Sequence, residues 1–476
     1  MLFKKAPAKW EEFKKKSPRE KWLELYGNLW VTPIIYGFLS ILLLVLAVTL
    51  DLTTDSGKFI PPALTIEYQL TRTILSTLTG GILSLTTFTF YGVLAALTTF
   101  SVQFSPRILQ NFMRNKMTQR TLGIFIGSFT YVLLCLFFLD KQSTFFFIPV
   151  LAILFTMLTM ATFIIFVNHI VNWLQVTNMT EDMKEESAIV AKNLLVKEMD
   201  AYRVKNSASI EHQVPENREQ ACSIYVEESG YIQTIDFINL IKEAEKDDLI
   251  IELHYKVGNY AFVSTPLLSY WPNGANSIDE SKYYSMIRIG KNQNEVQDIE
   301  FSLSKLVEVA IRAIGSNDPK TATRTIYQIG DLLIKISQLS FFTPYLADEE
   351  GNLRIILDNL EFKDYLYIGL SSIRHYARKN VILTVEILKV LHAIAKVRKK
   401  HDCTPVWDFA VYTTRSLEIN YIHSLDREKL YNTLLDMAKT TGHEMEYNKL
   451  VRKMMRTITD EDDRKEIERK IPLGCY

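Results

Sequence analysis

Hydroxyl side chains crowd the stretch from Thr73 to Ser101, in which no charged residue occurs. Thr73, Thr77, Ser84, Thr87 and Thr98, with Gly80, Tyr91 and Ala95 between them, recur at the spacing of one helix face. A hydroxylated stripe along an apolar helix has two physical uses. It can line a hydrated path, because hydroxyls accept water without fixing a charge. It can also let a second helix approach closely, since lipid supplies no hydrophobic drive for helix association. Ser76, Gly80 and Ser84 stand four residues apart as small residues, and Gly123 and Gly127 repeat that spacing. Both uses stay open at this stage.

Two flanking groups extend the pattern. Phe104-Ser105-Pro106-Arg107 closes the hydroxylated stretch, and proline disfavours helical geometry at the residue before it, so a bend is expected at Ser105. Ile108, Leu109, Phe112 and Met113 then alternate with Arg107, Arg114 and Lys116, as in a short helix lying on a membrane surface. Repeated around an oligomer, Arg107 would ring a pore mouth and favour anions; otherwise Arg107 and Arg114 hold lipid phosphates. Further on, Asn168, Asn172 and Gln175 share a helical face with His169 beside it. Polar groups at that depth point into a bundle or a wet vestibule, and a titrating histidine there either gates or simply hydrogen-bonds.

The elements that must carry these residues are four charge-poor stretches, Val31–Leu50, Thr73–Phe104, Leu122–Leu139 and Phe145–Leu174. About 20 apolar residues span a bilayer core as a helix, so four transmembrane helices are expected, the second longer than the core requires. Residues 1–180 hold 15 Lys/Arg and 8 Asp/Glu, while the remainder holds 39 and 46. The leading segment and the link between spans two and three are rich in Lys and Arg, which keeps them cytoplasmic and places both termini inside. The first apolar run has no small-residue cleavage site behind it and reads as an uncleaved anchor. Trp30 and Trp173 fall where amphipathic rings favour the headgroup layer.

Five segments follow. Residues 1–29 are a basic N-terminal segment, and 30–175 a four-helix transmembrane domain. Residues 176–220 form a helical extension, with Met183, Ile189, Val190, Leu194 and Met199 on one apolar side, ending in a polar linker from Val204. Residues 221–298 read as a β-rich α/β module, possessing strands at Cys222–Val226, Tyr231–Ile235, Leu249–Tyr255, Tyr260–Val263 and Ser285–Ile289 and a barrel-like closure. From 299 to 476 the period is helical throughout. Gly315-Ser316-Asn317-Asp318-Pro319 breaks it once, with Asp318 as cap and Pro319 as first helical residue. The fold class expected is thus an α-helical membrane protein followed by a cytoplasmic α+β module and an all-helical C-terminal region.

Thr99-Phe100-Ser101, Gln103-Phe104-Ser105-Pro106-Arg107 and Leu122-Gly123-Ile124-Phe125-Ile126-Gly127 resemble the membrane core of the domain-of-unknown-function 2254 family. Ser229-Gly230-Tyr231-Ile232-Gln233-Thr234-Ile235-Asp236, Val257-Gly258-Asn259-Tyr260 and Asn317-Asp318-Pro319-Lys320-Thr321-Ala322 extend the resemblance over most of the chain. The turn before Asn317 is shorter than the family's form and lacks its Pro-Gly. The resemblance implies a bacterial integral membrane protein, hence the inner membrane, and carries no established activity.

Walker, zincin, nucleophile-elbow, dinucleotide and EF-hand motifs are absent from the sequence, so no enzyme, cofactor or metal is expected. Asp298 and Glu300 alternate as on a solvated strand edge, and Asp460–Asp463 reads as an exposed acidic cap. Zero net charge excludes a general nucleic-acid binder. The expected partners are the lipid bilayer and further copies of the chain. Two roles remain: an oligomeric channel or transport-like protein passing small ions, or a membrane-anchored sensor or scaffold binding a ligand or a cytoplasmic protein.

Overall fold

Four helices are long and apolar enough to cross a membrane. They are α1 (Val31–Thr53), α2 (Tyr68–Gln103), α3 (Lys116–Phe137) and α4 (Phe147–Leu174). The computed structural model describes residues 29–53, 66–103, 115–139, 145–194, 199–204, 209–215, 221–272, 278–293, 297–339, 343–358, 361–398, 402–415, 417 and 422–456. The chain divides into two units, Met1–Gln175 and Val176–Tyr476. The basic N-terminal segment up to residue 28, the expected bend at Ser105-Pro106-Arg107, the surface helix through Arg114, and Asp460–Asp463 lie outside the described residues.

In the first unit α3 is the central helix: half of its apolar window is buried, against 22% for each of the other three. Its glycines explain how α1 comes so close. A Cβ on Gly123 would lie 3.0 Å from the Tyr36 ring, and one on Gly127 would lie 2.8 Å from Ser40 Oγ and 3.2 Å from the Tyr36 carbonyl oxygen. Close packing is therefore what the small-residue spacing does in span three. Leu44 and Ala47 of α1, Leu75 and Ile82 of α2, Val132 of α3 and Ala152 of α4 meet in the core beneath. At 36 residues α2 is about 54 Å long, well beyond the ~30 Å of a bilayer core.

The second unit starts with α5 (Val176–Lys192), which packs on two later helices, α8 (Ile299–Gly315) and α9 (Pro319–Leu339). Met179, Met183, Ser187, Val190 and Ala191 face inward, whereas Ile189 is 60% exposed and does not belong to the apolar side expected of it. The polar stretch after Val204 is more than a linker. Val204 N donates to Tyr345 O at 3.1 Å, and Gln213 Oε1 accepts from Leu353 N at 2.7 Å, tying it to the sheet.

Two sheets form where a barrel was expected. β1 (Cys222–Tyr225), β5 (Pro266–Pro272), β3 (Leu249–Leu253), β8 (Leu353–Leu357) and β7 (Tyr345–Ala347) make the larger, in that order. β3 and β8 run parallel, with Leu253 opposite Leu357, and the other pairs are antiparallel. β4 (Tyr260–Ala261), β2 (Gly230–Ile235) and β6 (Ile287–Gly290) make the smaller. α6 (Phe237–Lys246) starts at Asp236, whose side chain accepts from Asn239 N, and covers β3 and β8. A short α7 (Glu280–Ser285) leads into β6. β3 is buried on both faces, Ile250 as well as Ile251, as the central strand of a mixed sheet must be. Strands β7 and β8 lie inside the stretch read as wholly helical, so among its described residues the C-terminal region is helical apart from this hairpin.

α8 and α9 turn on Asn317, at φ +58°, and Asp318, whose Oδ1 accepts from Thr321 N at 3.1 Å. Pro319 opens α9 as expected. α10 (Phe362–Ala377), α11 (Val381–Val397), α12 (Thr404–Thr414), α13 (Ser424–Thr441) and α14 (Glu444–Met455) complete the described residues. Gly330 of α9 meets Val390 of α11 so closely that a Cβ there would overlap its side chain.

Candidate functional site

The hydroxylated stripe lies on the outside of the four-helix unit. Thr73, Thr77, Gly80, Ser84, Thr87, Tyr91 and Thr98 are all exposed, and the opposite face of α2, through Thr71, Leu75, Ile82, Thr89, Val93 and Ala96, is buried. A Cβ placed on Gly80 or Gly81 would meet nothing within 4 Å. Each serine and threonine of the stripe donates to its own helix: Thr73 to Gln69 O, Thr77 to Thr73 O, Ser84 to Gly80 O, Thr87 to Leu83 O and Thr98 to Ala95 O, at 2.8–3.0 Å. The donor is thus satisfied, and the oxygen keeps acceptor capacity on the exposed side. α2 also exposes Leu70, Leu83, Phe88 and Leu94 among these residues, but the exposed faces described for α1 and α4 carry no such hydroxylated stripe. On α1 they carry Ile34, Phe38, Leu42 and Val45, and on α4 Leu154, Met157, Ile164 and Ile165.

Both ends of this unit are organised by polar groups. At one end Asp51, only 9% exposed, reaches from α1 to the start of α4. Phe146 N and Phe147 N donate to its Oδ1 at 3.1 and 3.0 Å, and Ile148 N to its Oδ2 at 3.0 Å. A carboxylate there satisfies orphan amides and complements the helix dipole. Beside it, Ile66 and Phe145 exchange two backbone hydrogen bonds. In the sequence the one signal of this role is the position of Asp51, which closes an apolar run. At the other end Thr32 Oγ1 donates to Gln119 Oε1 at 3.1 Å, and Thr118 Oγ1 lies 3.5 Å from His169 Nε2. His169 is half-buried, while Asn168, Asn172 and Gln175 are exposed, so the structure separates the histidine from the three amides grouped with it. Trp173 is buried and Trp30 exposed. Ser105, Pro106, Arg107 and Arg114 lie outside the described residues.

The second unit holds a cavity of about 80 Å³ that no sequence motif announced. It opens past the C-terminal ends of the parallel strands β3 and β8, at Leu253 and Leu357, where α/β sheets place their ligands. Asp298 and Glu300 line it, which corrects their reading as a solvated edge. Asp298 is 2% exposed and caps α8, its Oδ1 accepting from Phe301 N at 2.7 Å. Burial raises the Glu300 carboxyl, as do Asp364 and Asp358, against the opposing pull of Lys256. Lys256 in turn pairs with Asp358 at 3.6 Å. Burial also pushes the Tyr365 hydroxyl up. Gln297 clamps the end of β2, accepting from Ile235 N at 2.9 Å and donating to Ile235 O at 3.2 Å.

Arg203 forms the remaining wall. It is 6% exposed, its Nη1 donates to Thr343 O at 2.8 Å, and its Nη2 lies 3.6 Å from Met199 Sδ. Among the described residues its Nε has no hydrogen-bond partner. Gly258 closes the same region at φ +91°, and a Cβ there would overlap Asp298 Oδ2. Gly258→Ala combines a disfavoured φ with a clash, and we expect it to cost about 2–3 kcal/mol, read as a lower unfolding midpoint of the purified protein. Asn317, Asp318 and Pro319 are exposed and serve the turn between α8 and α9, with hydrogen bonds from Thr321 holding the Asp318 carboxyl below its usual range. Among the described residues no group of His, Cys, Asp and Glu is arranged to hold a metal.

Comparison with known proteins places these features in a family. Two uncharacterized proteins of Mycobacterium tuberculosis and one of Mycobacterium bovis are each 24% identical over 333 residues, covering 66% of this chain. The matched segment spans 63% of the length of each of those relatives. No solved structure matches the chain. The model of the predicted membrane proteins designated DUF2254 matches residues 26–393, across the four apolar helices, both sheets and the helices up to α11. The chain belongs to that family.

Proposed function

We propose that the protein is an oligomeric, channel-like membrane protein in which copies of α2 turn their hydroxylated faces toward a shared path for small ions. The observation that carries this reading is the contrast between exposed faces. α1 and α4 expose large apolar side chains suited to acyl chains; α2 exposes Leu83, Phe88 and Leu94 as well, but sets beside them the run of Thr73, Thr77, Gly80, Ser84, Thr87 and Thr98. A face that is small and hydroxylated gains little from lipid and more from water or a second helix. In this reading the protein sits in a bacterial inner membrane with both termini in the cytoplasm, as the basic flanks suggest, and the α/β unit regulates the path. Arg107, four residues beyond the end of α2, would favour anions at the cytoplasmic mouth. The alternative role, a membrane-anchored sensor or scaffold, draws its support from the cavity beside Arg203.

Planar-bilayer recording with the purified chain tests the channel reading. Wild-type protein is expected to conduct, Arg107→Glu to shift selectivity toward cations, and Gly80→Leu to reduce conductance. Gly80→Leu has open space around its Cβ, so the single subunit keeps its stability. Silent membranes under varied voltage, tension and pH would remove the channel. Oligomers that fall apart in Gly80→Leu, with no wild-type conductance, would leave the stripe as a packing surface.

A further inference from the structure

We propose that the cavity beside Arg203 binds a small carboxylate-bearing metabolite, of acetate to amino-acid size, with its carboxylate on the Arg203 guanidinium. A buried cation needs a counter-charge, because a guanidinium removed from water loses solvation that only an anion and hydrogen bonds restore. The same unit shows the usual solution in Arg354, which is 7% exposed and bonded to Asp348 at 2.7 Å and Asp248 at 2.8 Å. Arg203 is buried to the same degree, yet its close partners are a carbonyl oxygen and a thioether, and its Nε is unmatched. Asp200 and Tyr365 attract it only over a longer range, without an ion pair to either. It stands on the wall of a cavity instead, at the carboxyl ends of two parallel strands.

The rest of the wall sets the ligand class. Asp298, Glu300 and Asp358 bring negative charge to the cavity, and Lys256 is shared with Asp358. A phosphate dianion would meet that field; a single carboxylate held at Arg203 meets far less of it, and an ammonium or hydroxyl on its neighbouring carbon finds an acceptor in Glu300. Leu194, Met199, Phe237, Leu253 and Val257 give the remainder an apolar lining. At about 80 Å³ the cavity has roughly half the volume of the ~150 Å³ cavity that takes the six carbons of a benzene, so it suits about three to five non-hydrogen atoms and excludes a nucleotide.

Isothermal titration of the protein in detergent, using acetate, glycine and inorganic phosphate as separate probes, tests the assignment. Saturable 1:1 binding of the carboxylates, without phosphate binding, is expected. Arg203→Met should weaken it about 10- to 100-fold, the loss of a charge-assisted hydrogen bond in a buried site. Since Arg203 also anchors Thr343, Val257→Phe provides a second variant, from a half-buried loop, that fills the cavity and leaves the arginine in place. Loss of binding in Val257→Phe supports the site even where Arg203→Met fails to fold. The site is overturned by carboxylates that do not bind wild-type protein at millimolar concentration, by phosphate binding in their stead, or by unchanged affinity in Val257→Phe. Conductance enters none of these readouts, so this inference and the channel reading stand or fall separately.

Discussion

Asp51→Ala is expected to destabilise the four-helix unit by about 3–6 kcal/mol, because it leaves three amides at the start of α4 without an acceptor, one buried and two part-buried, where a fully buried one costs about 1–3 kcal/mol. Phe146, Phe147 and Ile148 donate to that carboxylate, and the surroundings are apolar, with Phe145 and Ile148 in the core. Lipid offers the freed amides nothing in exchange. Asn in the same place keeps one acceptor oxygen and should lose about half as much. Unfolding in detergent followed by circular dichroism measures both. Equal stability of wild type and Asp51→Ala would mean that other groups serve those amides.

Arg354→Met is expected to cost about 3–5 kcal/mol, since it strands Asp348 as a buried charge. The Asp348 side chain is 1% exposed and holds the β7–β8 turn as well, accepting from Glu350 N at 3.1 Å and Asn352 N at 2.8 Å. Burial by itself raises the Asp348 carboxyl, but Arg354 and the Asn352 amide outweigh it and hold the group below its ordinary value. The sign of the pH dependence follows. A depressed folded-state value gives stability that is fully present above the ordinary carboxylate range, near 4, and is lost as pH falls through the folded value. In Arg354→Met the burial effect is left with less opposition and the carboxyl moves upward, so the stability gained on raising pH through the carboxylate range should be smaller than in wild type. Chemical denaturation at several pH values distinguishes the two slopes. Parallel profiles for wild type and variant would remove the assignment.

The four membrane-length helices were legible because charge disappears from the sequence over bilayer-sized stretches, and their observed limits lie close to the expected ones. Which face of α2 would be covered was not legible. Its buried side carries Thr71 and Thr89 among apolar residues, much as its exposed side does, so periodicity carried no contrast. β5 was hidden by Pro266 and Pro272, which mark both ends of an inner strand. β8 was hidden because the parallel partner that makes it a strand, β3, lies about a hundred residues earlier. Asp298 and Glu300 misled through a two-residue alternation that straddles a helix start: Asp298 is a cap, and Glu300 already lies in the first turn of α8. Arg203 carried no pattern at all, since only the burial of its neighbours makes an ordinary arginine unusual.

The bond of Asp51 to α4 and the bridge between Ile66 and Phe145 join three spans at a single level, through α1, the entry to α2 and the entry to α4. Helices pinned at one end move as levers. A tilt of about 10° around that fulcrum displaces the far end of the 28-residue α4, ~42 Å away, by about 7 Å, with almost no travel beside Asp51. Such a tilt would have to part Thr118 from His169 and Thr32 from Gln119 at that far end, and a spin label or fluorophore there would register it most strongly.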